Sequence, residues 1–129
     1  MSESIEIIKA FTFDAAHYLP YHEGKCQHLH GHTYKLEIGV LGRVRPDTGM
    51  VLDFSDFKGI VDENIVQPMD HRLLNDIQNH DFPASNPTAE NMVVWIRNRL
   101  REVLKDKSVT ISFVRLWETP TSYALWRAY

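Results

Sequence analysis

The chain has 129 residues, of which 43% are hydrophobic and 24% are charged. These values are typical of a globular protein and exclude a disordered or low-complexity chain. A formal net charge of -3 offers no general electrostatic attraction for nucleic acid. No apolar run approaches the roughly 18 residues of a membrane span, and a single cysteine excludes an internal disulfide framework. We therefore expect one soluble, cytoplasmic domain over residues 1–129.

Alternating hydrophobic residues predict two β-strands in the first third of the chain. The apolar residues that share one face of the first strand are Ile5, Ile7, Phe11 and Phe13. Those that share one face of the second strand are Tyr34, Leu36, Ile38 and Val40. We expect the two strands to be neighbours in a hairpin, and the Pro46-Asp-Thr-Gly49 segment to form a turn after the second.

Two amphipathic helices are predicted next. The first has an N-cap at Asp53 or Ser55 and is expected to end at Pro68. The second begins at an Asn86 or Thr88 cap and carries an acidic residue in its first turn. The apolar stripe of the first helix consists of Phe57, Ile60, Val61 and Ile65. That of the second consists of Ala89, Met92, Val93, Ile96, Leu100 and Val103.

Two further strands, Val109–Trp117 and Ser122–Tyr129, are predicted to follow, joined by a short turn. This order of elements predicts an α+β fold, in which a four-stranded antiparallel sheet has two helices inserted between strands 2 and 3. The helices are expected to lie on one face of the sheet. Aromatic residues of the last strand either pack in the core or leave apolar surface for a partner subunit. They are Tyr123, Trp126 and Tyr129.

Histidine is concentrated in one part of the chain, since five of the seven lie between His17 and His32. His30 and His32 flank a glycine at the start of the second strand and therefore face the same side, about 6.6 Å apart at a rise of roughly 3.3 Å per residue. Two imidazoles at that separation can converge on one metal ion. His17 ends the neighbouring strand and can supply a third nitrogen. Three neutral ligands leave a fourth position open, as catalytic zinc sites do.

Two other interpretations of these histidines exist. They can be surface loop residues without a common role. Alternatively, Cys26, His28, His30 and His32 can form a closed structural zinc site, although this local spacing is cramped for tetrahedral geometry.

Three further positions carry groups suited to acid–base chemistry. Cys26 has Lys25 and several histidines nearby, and such cationic neighbours favour a thiolate that acts as base or nucleophile. In the adjacent pair Asp70 and His71, the carboxylate can orient an imidazole for proton transfer. Glu118 ends the third strand and can hold an amidine-like ring edge by paired hydrogen bonds. Each position also has a plainer interpretation. Cys26 can be an inert cysteine packed in a loop, and His71 can be a helix C-terminal histidine beside a turn aspartate. Glu118 can be an exposed turn glutamate.

Separate motifs follow one another in order along nearly the whole chain. They are Phe13-Asp-Ala-Ala-His17, Cys26-Gln-His-Leu-His-Gly-His32, Asp47-Thr-Gly-Met-Val-Leu-Asp-Phe54, Asp70-His71-Arg72 followed by Leu-Asn, Pro87-Thr-Ala-Glu-Asn91, and Glu118. Together they resemble the 6-pyruvoyl-tetrahydropterin synthase family. Three residues separate Cys26 from the His-Gly-His run, as in the carboxytetrahydropterin branch of that family, whereas the pyruvoyl branch usually has a longer spacer.

The resemblance implies a tunnelling fold, in which the sheets of several subunits close a barrel and two trimers stack into a homohexamer with sites between subunits. The substrate that it implies is 7,8-dihydroneopterin triphosphate. The reaction is conversion to 6-carboxy-5,6,7,8-tetrahydropterin with release of acetaldehyde and triphosphate, in queuosine biosynthesis. The alternatives are a pyruvoyl synthase, which eliminates triphosphate only, and a non-catalytic metal-binding domain. No nucleic-acid or membrane partner is implied.

The resemblance also assigns roles to residues of this chain. They are His17, His30 and His32 as ligands of Zn²⁺, Cys26 as proton acceptor, Asp70 and His71 as its relay, Glu118 as a catalytic residue that also anchors the pterin ring, and Thr88, whose backbone helps to hold that ring. A triphosphate needs basic partners in a chain that is acidic overall. The candidates are Lys25, Arg43, Arg45, Lys58, Arg72 and Arg115.

Overall fold

A computed structural model of the chain describes residues 3–79 and 81–128. Its five strands are β1 (Ser4–His17), β2 (His30–Arg43), β3 (Arg72–Leu73), β4 (Val109–Thr119) and β5 (Ser122–Arg127). They form one sheet in the order β3-β1-β2-β4-β5. The helices are α1 (Phe54–Val61), α2 (Gln67–Met69) and α3 (Ala89–Val103), with a π-helical turn (Asp62–Val66) that joins α1 to α2. The α+β architecture predicted from the sequence is confirmed.

The predicted number of strands was wrong, because four were expected and the sheet has five. The additional strand, β3, has two residues, which is too short to show a period-two pattern in the sequence. It pairs parallel to the end of β1, with Arg72 opposite Ala15 and Leu73 opposite Ala16. The four long strands are antiparallel, as expected, and β3 ties the segment after α2 to the edge of the sheet.

The two long N-terminal strands pair along their whole length, from Ser4 opposite Arg43 to His17 opposite His30. Their alternating apolar side chains point toward the helices, where Tyr34 and Leu36 are fully buried. Burial of each such side chain contributes roughly 1.5–3 kcal/mol to folding. The hydrophobic pattern thereby fixes which face of each strand is inward, and with it the register at the end that carries the histidines.

The first helical region begins at Asp53, whose carboxylate accepts hydrogen bonds from the backbone N–H groups of Ser55 and Asp56. It continues through the π-helical turn to Met69, one residue beyond the predicted end at Pro68. Pro68, which has no N–H to donate, lies just after the π-helical turn, where the regular α-helical hydrogen-bond pattern is already interrupted.

The second long helix, α3, begins at Thr88, whose hydroxyl accepts a hydrogen bond from the Asn91 N–H. Most of its predicted stripe is buried against the sheet, including Met92, Ile96 and Leu100. Among residues 3–79 and 81–128, no helix is both long and apolar enough to cross a membrane.

The aromatic residues of β5 divide between the two expected roles. Trp126 packs against the core beneath the guanidinium groups of Arg97 and Arg101, each 5.2 Å from its ring centroid. Tyr123 keeps 48% of its surface exposed. Tyr129 lies outside the described residues. Only Tyr123 therefore presents substantial aromatic surface on the described part of β5.

Replacement of Asp53 by alanine is expected to lower the free energy of unfolding by about 1 kcal/mol, because two N–H groups at the start of α1 lose their acceptor. Urea unfolding followed by circular dichroism, at one fixed protein concentration, measures the change. The matched control is Asp53→Asn, which keeps an acceptor oxygen and should lie close to the wild type. Equal stability of all three proteins would contradict the capping role.

Candidate active site

Three imidazoles converge where β1 ends and β2 begins. His17 is fully buried, and its ring lies 4.6 Å from that of His30 and 5.1 Å from that of His32 between centroids. One nitrogen from each ring lies within 4.8 Å of the other two. The β1–β2 register produces this arrangement, since His17 is opposite His30 and Ala15 is opposite His32. The three histidines expected to bind metal are therefore brought together.

Backbone carbonyls fix the orientation of two of these rings. His17 Nδ1 lies 2.9 Å from the Pro87 carbonyl, and His30 Nδ1 lies 2.7 Å from the His28 carbonyl. Because a carbonyl only accepts, each Nδ1 carries the hydrogen, and in the neutral rings each Nε2 presents a lone pair. These two Nε2 atoms face each other at 3.0 Å. Two lone pairs at that distance repel unless a cation lies between them, so the donor set fits a bound metal ion.

The third ring has an unsatisfied nitrogen. His32 Nε2 is buried and has no hydrogen-bond partner among the described residues, although Glu118 Oε1 lies 3.4 Å away. Burial lowers the pKa of both His17 and His32, and the neighbouring carboxylate of Glu118 opposes this effect only in part. Both imidazoles are thereby kept in the neutral form that binds metals. A buried nitrogen without a hydrogen-bond partner is costly, which supports a metal role for His32 as well.

A cavity of about 510 Å³ opens beside this cluster. It exists because the ladder between β2 and β4 stops at the pair Lys35 and Trp117, and the register between β4 and β5 shifts just beyond. The residues that line it are His32, Thr33, Lys35, Trp117, Glu118, Thr119 and Pro120. Glu118 is therefore beside the metal cluster and faces a space large enough for a bicyclic ligand.

The adjacent residues Asp70 and His71 contact each other, which their adjacency in sequence left open. Asp70 Oδ1 lies 3.0 Å from His71 Nδ1 and also accepts a hydrogen bond from the Asp14 N–H at 3.0 Å. That backbone bond, with the His71 contact, lowers the pKa of Asp70. His71 adopts a left-handed backbone with φ 59°, and its N–H donates to the Asp14 carbonyl at 2.6 Å. The end of β1 thus holds the pair in place.

This pair faces a different cavity from the one at Glu118. His71 is 77% exposed and lines a space of about 550 Å³ together with Glu63, Gln67 and Arg72. None of the residues that line the Glu118 cavity lines this one. Within one chain, His71 and the histidine cluster therefore open onto separate surfaces.

Cys26 lies in a single turn of 3-10 helix, Lys25–Gln27, in the loop between β1 and β2. The residue is half-buried, and its carbonyl accepts a hydrogen bond from the Leu19 N–H. Among the described residues, Cys26 belongs neither to the histidine cluster nor to the group formed by Asp14, Asp70 and His71. The closed zinc site with Cys26 and His28 as ligands is therefore not formed, and the thiol is not brought to the metal cluster within one chain.

Thr88 contributes to the site through its neighbour. Its hydroxyl caps α3, while the carbonyl of Pro87, one residue earlier, holds His17. The hydrogen bonds of the Pro87 and His28 carbonyls to the histidine rings were not predicted, because every residue type has a backbone carbonyl. Asp14 was also missed, although its place in the motif before His17 was a usable signal. Its carboxylate accepts a hydrogen bond from the Thr33 hydroxyl at 2.5 Å, while its backbone holds Asp70 and His71.

The fold and the site together define an α+β protein whose sheet carries, where β1 ends and β2 begins, a cluster of three histidines that could hold a metal ion. Comparison with protein families refines this class. The profile of the 6-pyruvoyl tetrahydropterin synthase family matches residues 6–128, and the chain belongs to this enzyme family. The resemblance seen in the sequence motifs is confirmed.

Several relatives cover nearly the full chain. A 6-carboxy-5,6,7,8-tetrahydropterin synthase from Haemophilus influenzae is 42% identical over 92% of this chain and 95% of its own. A dihydroneopterin monophosphate aldolase from Pyrococcus furiosus is 40% identical over 87% of this chain and 88% of its own. Among solved structures, Caenorhabditis elegans 6-pyruvoyl tetrahydropterin synthase superposes with a TM-score of 0.85 at 25% identity, covering 99% of this chain and 98% of the other.

Replacement of His30 by alanine is expected to abolish stable metal binding, because two ring nitrogens cannot hold an ion as three do. Elemental analysis after equilibration with Zn²⁺ and exhaustive dialysis measures the metal content per chain. The matched control is His22→Ala, which removes an exposed loop histidine whose ring accepts a hydrogen bond from the Gly24 N–H. The assignment is wrong if both variants retain as much metal as the wild type.

Proposed function

We propose that this chain is a zinc-dependent 6-carboxy-5,6,7,8-tetrahydropterin synthase, which acts in the cytoplasm in queuosine biosynthesis as a single domain over residues 1–129. Its substrates are 7,8-dihydroneopterin triphosphate and water, and it releases acetaldehyde and triphosphate. The observation that carries the proposal is the cluster of three histidine nitrogens that adjoins the cavity containing Glu118. Relatives named for this activity, at 30–42% identity, support it.

His17, His30 and His32 would hold the ion. Zn²⁺ is the proposed metal because neutral imidazole nitrogens suit it and three ligands leave one position for substrate. When bound, it supplies Lewis-acid polarisation of the hydroxyl groups on the substrate side chain. The Pro87 and His28 carbonyls keep the His17 and His30 rings aimed at that position.

Glu118 would hold the pterin ring. The edge of a pterin ring presents two parallel N–H donors, and a carboxylate accepts such a pair with both of its oxygens. Glu118 lies at the end of β4 and lines the cavity beside His32, so a ring held there would place its side chain near the metal position. We propose that the backbone around Thr88 also contacts the ring.

Proton transfer is assigned to Cys26, Asp70 and His71. Cys26, as a thiolate, removes a proton from the carbon side chain, and His71, oriented by Asp70, returns a proton elsewhere on the substrate. This internal redox step converts an alcohol to a carbonyl while the ring becomes tetrahydro. Triphosphate leaves by elimination, and a retro-aldol-like cleavage with addition of water releases acetaldehyde.

We propose that subunits of a homohexamer, a dimer of trimers, complete each site. Two features of the described residues support this. His71 and Glu118 open onto separate cavities, and Cys26 belongs to neither group of converging ligand atoms. The sheet also has open edges, since β5 is terminal and β3 covers β1 only at Ala15 and Ala16. Pairing between subunits would cover both edges and close a barrel.

A second candidate is an aldolase acting on a dihydroneopterin phosphate, which the 40% identity to the Pyrococcus furiosus enzyme favours. A third is the pyruvoyl synthase after which the family is named. These activities differ in their products, so product analysis separates them.

Incubation of the Zn²⁺-loaded protein with 7,8-dihydroneopterin triphosphate is expected to yield 6-carboxy-5,6,7,8-tetrahydropterin and acetaldehyde. Mass spectrometry of the pterin and derivatisation of the volatile aldehyde measure the two products. A pyruvoyl pterin without acetaldehyde would assign the chain to the synthase that only eliminates triphosphate. In a parallel incubation with 7,8-dihydroneopterin monophosphate, release of a phosphorylated hydroxyaldehyde would support the aldolase, and absence of turnover with either substrate would leave a metal-binding domain.

Replacement of Cys26 by alanine is expected to lower kcat by about 10²- to 10⁴-fold while zinc content stays unchanged, because a proton acceptor is lost and no ligand is. Steady-state kinetics and elemental analysis measure both quantities on the same preparation. The matched control is Gln27→Ala, in the same helical turn, which should keep wild-type turnover. Full activity of the Cys26→Ala protein would refute its role as proton acceptor.

A further inference from the structure

We infer that Lys35 binds the phosphate chain of the substrate, an inference that rests on the proposed function. Lys35 lines the cavity that contains His32 and Glu118, and among the described residues that line it, Lys35 is the only lysine or arginine. The strand alternation places Lys35 on the exposed side of β2, and it was not among the basic residues singled out from the sequence.

Three of the basic residues considered from the sequence already have acidic partners. These are Arg45 with Asp47 at 3.3 Å, Lys58 with Asp62 at 2.7 Å, and Arg115 with Glu37 at 3.6 Å. An incoming phosphate would compete with those carboxylates for each cation. None of the three lines the cavity at Glu118.

The other three lie elsewhere in the chain. Arg43 lines a cavity at the far end of the sheet, where β2 ends and β1 begins. Arg72 lines the cavity of His71, and Lys25 is in the loop that carries Cys26. Within one chain, none of these positions adjoins the metal cluster through a common cavity.

Lys35 has no ion pair or hydrogen bond through its ammonium group within residues 3–79 and 81–128. The carboxylate nearest in sequence on the same strand face, Glu37, is occupied by Arg115 and by the indole N–H of Trp117 at 2.6 Å. The cross-strand neighbours of Lys35 are Thr12 and Trp117, and neither is charged. Lys35 is therefore an uncompensated cation beside the site, which suits a phosphate group.

The cavity carries both a carboxylate, on Glu118, and an ammonium group, on Lys35, and the substrate has groups that complement each. The carboxylate of Glu118 repels phosphate and attracts the N–H edge of the ring. The ammonium group of Lys35 attracts phosphate and repels the N–H edge. His32, a proposed metal ligand, would act on the side chain that joins the ring to the phosphates. Its Cα is roughly 10 Å from the Cα of Lys35, because the two residues are three apart on β2 at about 3.3 Å per residue. A ligand with a donor-rich ring at one end and phosphate at the other end of a three-carbon side chain is complementary to this arrangement.

Replacement of Lys35 by methionine, which keeps the length of the side chain and removes its charge, tests the inference. KM for 7,8-dihydroneopterin triphosphate should rise about 10- to 100-fold, while zinc content stays unchanged. Lys35→Arg should restore most of the affinity. The matched control is Lys107→Met, an exposed lysine at the opposite end of the sheet, which should leave KM unchanged.

Calorimetric titration with inorganic tripolyphosphate provides a readout that needs no turnover. The Zn²⁺-loaded wild type and the Lys107→Met protein should bind it with equal affinity, and the Lys35→Met protein should bind it at least about tenfold more weakly. Equal binding by all three, with turnover intact in the wild type, would overturn the role of Lys35 and leave the proposed function standing. Loss of binding in Lys35→Met alone, with no turnover by the wild type, would keep the anion site and refute the synthase.

Discussion

The register between β1 and β2 is the constraint on which the site depends. It sets His17 opposite His30 and Ala15 opposite His32, so that three rings meet beyond the last buried layer of the core. A slip of one residue would turn the histidines of one strand to the other face of the sheet. The register is specified by the alternating apolar side chains of both strands, including Phe13 and Tyr34, whose rings stack at 5.0 Å. Core packing therefore sets the geometry of the three-histidine cluster.

The elements that the sequence predicts well are those whose signal is local and periodic. The alternation around Leu36 and Ile38 identifies a strand, and the caps at Asp53 and Thr88 mark the starts of two helices. The histidine cluster was predictable for the same reason, since spacing along a strand determines which side chains share a face. The strand β3 was not predictable. Its two residues are too few to show an alternating pattern, and its pairing with Ala15 and Ala16 joins segments far apart in the sequence.

Site features that depend on the backbone or on the end of a strand ladder were beyond sequence reasoning. The carbonyls of Pro87 and His28 orient two ligands, yet any residue type provides a carbonyl. Lys35 is an ordinary polar residue on an exposed strand face until the ladder with β4 stops beside it and opens a cavity. The net charge of the chain does not predict a phosphate site either, because an anion binds most readily to a cation that has no acidic partner.

The π-helical turn at Asp62–Val66 has a consequence for how this protein tolerates changes of length. A π-helical turn accommodates an additional residue, and deletion of one residue there would restore α-helical geometry. Because the additional residue is taken up within one wider turn, its removal would leave Met69 and Asp70 facing much as they do now. Met69 would stay in the core, and Asp70 would keep its hydrogen bond from the Asp14 N–H. The Asp62–Val66 segment is therefore where the region between the helix start and the Asp70–His71 pair can lose one residue with the least structural disturbance.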